Sequence, residues 1–201
     1  TAFSGEMDTE IFSFVNTEND LKNFEYANLN NPDVPFIRNL EDNQIYYIKK
    51  DSSTYNVTPN FKNNSFDNKI LSGSCFNFAD LAQASFENTN FENVYCCSAN
   101  CQGVSFYKAK CIGTDFSFSN CQSAKFEEAD CQRVSFYKTD LKTTNWLNVL
   151  SIAGANFKYA DLTGATNIPA RINTKATFIA ECGAGNVNAA TIWIDGTSIL
   201  A

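Results

Sequence analysis

Four cysteines spaced ten residues apart, Cys101, Cys111, Cys121 and Cys131, are the residues of this sequence best placed to do chemistry, because four thiolates can close around a zinc ion. Nothing else supports such a centre. No Cys-x-x-Cys pair is present, and the interval of ten also follows from a shorter period in the chain, so the thiols read as small packing groups. Cys96 shares their register. Cys75 and Cys97 flank it, are expected to face outward, and make the pair most open to oxidation, while Cys182 has no evident partner. Histidine is absent, which removes Ser-His-Asp and Cys-His catalysis and every His-containing metal site. The densest carboxylates, Glu127, Glu128 and Asp130, have no base beside them and read as a solvated face. Tyr107-Lys108 and Tyr137-Lys138 are expected on opposite sides and form no single patch. Asn56 and Asn63 open N-x-S/T sequences that would accept a glycan in a secreted chain. No Gly-rich phosphate loop or nucleotide fingerprint occurs, and no catalytic residue, metal or cofactor is assigned.

What must position these residues is a period of five. From Phe61 to Trp146 every fifth residue is large and apolar or Cys, and two residues before most of them stands a small residue such as Ala79, Ala84, Ala99 or Val104. After Trp146 the register slips by one residue and resumes at Ile152, Phe157 and Leu162. Helices repeat at 3.6 and strands at 2, so a period of five requires a chain that turns a corner at every unit. Each unit then sends one large and one small side chain inward, and four units close a square coil of twenty residues.

Reading every fourth unit tests that closure. One column is Phe66, Phe86, Phe106, Phe126 and Trp146, an unbroken aromatic ladder. A second is Phe76, Cys96, Phe116 and Phe136; the other two carry Cys101 and Cys121, and Cys111 and Cys131. Between residues 101 and 140 rings fill one opposed pair of sides and thiols the other, the volume complementarity that a dense core demands. At about 4.8 Å per coil, about five and a half coils stand roughly 26 Å tall. The extra residue between Trp146 and Ile152 is expected to form a bulge or loop at a corner.

Ala79-Asp80-Leu81, Ala99-Asn100-Cys101, Ala155-Asn156-Phe157 and Ala160-Asp161-Leu162 match the A(D/N)LXX unit, so the stretch from 59 to 168 resembles the pentapeptide-repeat proteins. The resemblance implies an all-β solenoid, a right-handed quadrilateral β-helix of about five coils. Some members inhibit DNA gyrase by imitating the duplex with an acidic rod, and the resemblance implies that these are longer rods paired through a C-terminal helix.

Outside the column the period fails. Residues 1–58 read as a small acidic cap, with a capped short helix beginning near Thr17, a stray unit at Phe24 and Leu29, a loop at Pro32 and Pro35, and a strand over Ile45–Ile48. Thr1 rather than Met opens the chain, as removal of a leader or upstream domain would leave it. Residues 169–201 read as a β-rich capping or docking hairpin, Ala176–Ala180 against Thr191–Asp195, with no helix.

Hydrophobic residues at 44% are enough for a core, so wholesale disorder is excluded, and no apolar run reaches the roughly 18 residues of a membrane helix. The net charge of −7 is unevenly placed: residues 1–60 hold 10 acids and 4 bases, residues 61–165 hold 10 and 9. A duplex mimic needs a sustained negative field along its length, which this column lacks. The sequence therefore points to a non-catalytic structural or protein-binding module, a subunit or appendage of a larger assembly. Its partner is a protein, no direct nucleic-acid binding is expected, and the termini are where an oligomer or assembly would join. A gyrase-directed DNA mimic and a virion or cell-surface fibre component are the alternatives.

Overall fold

The computed structural model describes residues 36–39, 44–47 and 61–200. The expected helix near Thr17, the stray unit at Phe24 and Leu29, and Asn56 lie outside the described residues. β1 (Phe36–Asn39) and β2 (Gln44–Tyr47) pair antiparallel, Phe36 opposite Tyr47 and Asn39 opposite Gln44. The strand expected over Ile45–Ile48 thus has a partner that Pro35 concealed, since proline is tolerated immediately before an edge strand.

From Phe61 onward the chain turns a corner every five residues. Within a unit the fourth residue's N–H donates to the first residue's carbonyl, as Ala109 does to Phe106 at 2.9 Å. The third residue has positive φ at every unit from Asn63 to Asn148. Positive φ at that turn position is what a type II turn requires, and asparagine, which tolerates it best after glycine, occupies Asn63, Asn68, Asn88, Asn93 and Asn148. Thr143, β-branched and at φ 56°, is the most strained of them. At Gly113 a side chain would also collide, because a Cβ there would lie 2.5 Å from Asn93 Oδ1.

The Asp or Asn of the repeat unit has a mechanical role. Its carboxylate or amide oxygen accepts the N–H two residues on, at the entrance of the next turn: Asp80 from Ala82 at 3.1 Å, Asn120 from Gln122 at 3.1 Å, Asp161 from Thr163 at 2.9 Å. These Asx turns start each corner. The small inward position also takes hydroxyls, each satisfied inside the core: Thr89 and Thr139 donate to the carbonyls of Phe66 and Phe116 in the preceding coil, at 2.9 and 2.7 Å.

Successive coils stack in register. Parallel bridges join Ser65 to Ser85, Ser85 to Ser105 and Ser105 to Lys125, an interval of twenty. Phe106 N–H donates up to Lys125 carbonyl at 2.8 Å, and Ser105 N–H down to Ala84 carbonyl at 3.0 Å. Four sides result. The first carries Leu81, Cys101, Cys121 and Leu141 inward, the second the ladder Phe66 to Trp146, the third Leu71, Phe91, Cys111 and Cys131, and the fourth Phe76, Cys96, Phe116, Phe136 and Phe157; all are buried. The second-side rings lie nearly parallel, with centroids 4.9, 5.6, 5.2 and 4.8 Å apart. Rings of the fourth side meet them edge-on, Phe116 to Phe106 at 5.2 Å. Where the fourth side has only Cys96, Phe91 of the third leans across and stacks between Phe76 and Phe116, at 6.0 and 6.2 Å. Volume is conserved per layer of the column rather than per side.

The inserted residue is Leu150. Bridges below it span twenty residues and those above span twenty-one, as in Asp130 to Ser151. Leu150 bulges out at a corner, 64% exposed, while Arg171 Nη2 donates to the carbonyls of Val149 and Leu150 at 2.7 and 3.0 Å.

The tail departs from the hairpin reading. After a 3-10 turn at Ala170–Ile172, residues Lys175–Cys182 form helix α1. β-branched Thr177 and Ile179 suggest a strand, but Thr174 and Thr177 make a reciprocal capping box and Gly183 ends the helix at φ 96°. Phe178 and Cys182, one turn apart, are the buried pair, and Phe178 lies on Phe157 at 4.8 Å and on Trp193 at 5.0 Å. Glu181 fastens the helix, accepting Ile152 N–H at 3.1 Å and pairing with Arg171 at 3.3 Å. Thr191–Ile192–Trp193 does not meet the helix as a strand. It imitates one more repeat unit: Ile192 bridges Asp161, Thr191 donates to Phe157 carbonyl at 2.9 Å, and Leu162 N–H donates to Ile192 carbonyl at 2.9 Å. The chain then doubles back, Ile192 against Ser198 antiparallel.

Candidate functional site

The interior carries no reacting centre that the described residues assemble. Cys101 and Cys121 stack on the first side and Cys111 and Cys131 on the third, with Cys96 inward on the fourth. All five are fully buried, and no group of three or more His, Cys, Asp or Glu among the described residues is disposed to hold a metal ion. Cys75, expected outside, is fully buried opposite Tyr95 in the ladder, while Cys97 is half-buried. Burial and a hydrogen bond to Asp115 push the Cys97 thiol up to about 12, which makes it a poor nucleophile near neutral pH.

Cys96, Cys121 and Cys131 make the column sensitive to alkali. Burial, reinforced by hydrogen bonds to Cys101, pushes the Cys96 and Cys121 thiols well up; for Cys131 the hydrogen bond to Cys111 acts first and burial second. A thiol in the unfolded chain ionises near pH 8.5, roughly. Above that pH the unfolded chain releases protons that the native column keeps, so this stability is intact below it and declines as pH rises through the raised native values. The urea midpoint is expected to be lower at about pH 10 than at about pH 7.5, and Cys121→Ala is expected to narrow the difference. An unchanged midpoint would refute the buried, protonated state.

Chemistry available to a partner lies outside. Among the described residues, the exposed large aromatics are Phe78, Tyr95, Phe118 and Tyr159, and each falls on the outward face of the fourth side or on the corner that closes it. Phe118, Tyr137 and Tyr159 form a continuous edge-to-face strip, with centroids 5.5 and 5.4 Å apart. Lys138 stands in the middle of it, its Nζ 5.4, 5.5 and 5.6 Å from the rings of Phe118, Tyr137 and Tyr159. Cation–π contact with three rings holds this lysine in place without neutralising it. The left-handed turn position creates the strip, since Phe118, Lys138 and Tyr159 all occupy it, in consecutive coils of one corner.

The opposite side is different. Tyr107-Lys108 lies there, apart from Tyr137-Lys138 as the spacing predicts, with Lys108 Nζ 4.8 Å from the Tyr107 ring centroid and 3.7 Å from Glu128. Glu127 is bonded by Asn145, and Asp130 starts a turn by accepting Gln132 N–H at 3.2 Å, so the carboxylate cluster is engaged in the column's own surface. The aromatic strip escapes a reading that follows only inward positions; its signal is Phe78 and Phe118 at an interval of forty, with Tyr159 displaced by the Leu150 insertion.

Residues 74–110 and 114–145 match the family described as pentapeptide repeats, in 8 copies. No curated protein matches the chain. Among solved structures, a pentapeptide repeat protein from the thylakoid lumen of Arabidopsis thaliana is similar at 20% identity, over 70% of this chain and 83% of that one, with a TM-score of 0.39. QnrB1, a plasmid-mediated fluoroquinolone resistance protein, is similar at 17% identity over 56% and 71%, TM-score 0.34. Rfr23, from the cyanobacterium Cyanothece 51142, is similar at 17% over 53% and 76%, TM-score 0.22. A corner at every fifth residue, coils closing at twenty and this family match agree on a solenoid of five-residue repeats across the middle of the column.

Proposed function

We propose that the chain is a non-catalytic protein-binding module: an acidic cap over residues 1–58, a repeat column of about five and a half coils over 59–168 and a capping tail over 169–201, serving as a subunit or appendage of a larger assembly. The observation that carries this reading is the confinement of the exposed aromatics, among the described residues, to one side. Isolated surface rings need no explanation, but a contiguous strip on a rigid column is the composition of an interface. A ladder of backbone hydrogen bonds fixes the strip, so docking orders few main-chain atoms on this side of the contact. The near-neutral column gives the duplex-mimicry alternative no support.

The test is capture from an extract of the source cells on immobilised chain, with quantitative mass spectrometry. Phe118→Ser with Tyr159→Ser is expected to lose at least one protein that the wild type retains. An identical set at identical yield with the doubly substituted chain overturns the reading.

A further inference from the structure

We propose that the segment docking on the aromatic strip is acidic: an extended peptide whose carboxylates meet Lys138 and Lys158 while its apolar side chains lie on Phe118 and Tyr159. This rests on the docking reading above and goes further by naming the partner's chemistry. Charge placement carries it. The strip's two lysines are on consecutive turns, with Lys138 N–H donating to Lys158 carbonyl at 2.9 Å. Arg133 ends the preceding corner, beside the same side of the column. None of the three makes an ion pair among the described residues, where the four bridges join Lys108 to Glu128, Lys142 to Asp140 and to Asp161, and Arg171 to Glu181. The carboxylates nearest the strip are engaged. Asp115 accepts Ser117 N–H at 2.9 Å and the Ser117 hydroxyl, and Asp140 and Asp161 share Lys142 at 3.4 and 3.2 Å.

Four more acids of the column reinforce the choice of side. Asp67, Glu87, Glu127 and Glu128 lie at the corner of the second side, opposite the strip. Lys108 offsets Glu128 there, while Asp67, Glu87 and Glu127 have no cation paired to them among the described residues, so an acidic segment is favoured at the lysines over the opposite side and the asymmetry sets orientation as well as affinity. The rings select against a purely charged ligand: Phe118 and Tyr159 are 55% and 46% exposed, and covering them requires apolar or aromatic side chains between the carboxylates.

The probe is a synthetic peptide of about twelve residues alternating Glu and Phe, titrated calorimetrically into the full chain at low and at high salt. The wild type is expected to bind, and more weakly at high salt. Lys138→Glu with Lys158→Glu is expected to reduce affinity by on the order of tenfold or more, and Lys138→Gln with Lys158→Gln by less. The proposal is overturned if the wild type does not bind, if the charge-reversed chain binds equally well, if a peptide with Lys in place of Glu binds as tightly, or if an oligothymidylate of similar length binds more tightly than the peptide. Failure here is distinguishable from failure of the docking reading. Should ring removal change what is captured from extract while charge reversal changes nothing, the strip remains a docking surface and only the acidic partner falls.

Discussion

Phe106→Ala is expected to lower the free energy of unfolding by about 3–5 kcal/mol, the range for deleting a fully buried ring. Phe106 has rings on every accessible side: Phe86 below at 5.6 Å and Phe126 above at 5.2 Å, both stacked, with Phe91 and Phe116 at 5.4 and 5.2 Å. Removing it leaves a gap that neighbours cannot fill, because each is held in register by main-chain bonds such as Ser105 N–H to Ala84 carbonyl and Phe106 N–H to Lys125 carbonyl. Phe106→Leu, which keeps most of the volume but not the stacking, is expected to cost clearly less. Equilibrium unfolding in urea measures both. A loss below about 1 kcal/mol for the alanine variant would mean that the column repacks and is not the tight stack described.

The reason this residue could be chosen from the sequence also marks the limit of what the sequence discloses. Inward positions follow a strict interval, so Phe66, Phe86, Phe106, Phe126 and Trp146 can be aligned by counting, and the coil length follows from their identity. The corner chemistry is legible in part: an Asx oxygen recurs at the offset of Asp80, Asn120 and Asp161, while the left-handed position takes asparagine at only some of the units. The exchange between Phe91 and Cys96 is not legible in a column-by-column reading, since it conserves volume across two sides. Helix α1 is concealed for another reason. Its Thr and Ile favour strands, and only the contact of Phe178 with Phe157, together with the capping box, decides the matter. The strip around Lys138 depends on outward corner positions, whose residue types the inward period does not fix, and only the interval of forty between Phe78 and Phe118 marks it.

Ending the chain at Asn173 is the second large perturbation, and its expected result is a column that is both less stable and self-associating. The tail covers the last coil in two ways. Phe178 and Trp193 bury the rings beneath them, each worth about 2–3 kcal/mol of apolar burial. The main chain of the tail also supplies partners to the open ladder: the N–H groups of Phe157, Leu162 and Gly164 donate to the carbonyls of Asn186, Ile192 and Ile194 at 2.7, 2.9 and 2.9 Å. In the truncated chain these donors and the face of Phe157 meet water, and an open ladder edge over an apolar core is a template for a second copy. The intact tail prevents this by turning back on itself. Ile192 pairs antiparallel with Ser198, and Trp193 N–H donates to Thr197 carbonyl at 2.7 Å, so the last strand has used its edge internally. Light scattering should show a concentration-dependent mass for the truncated chain that exceeds that of the full chain. Phe178→Ser separates the two contributions, because it removes the ring but leaves the Ile192 ladder in place: destabilisation without association is its expected outcome. If the truncated chain keeps the mass and stability of the full one, residues 174–200 do not cap the column.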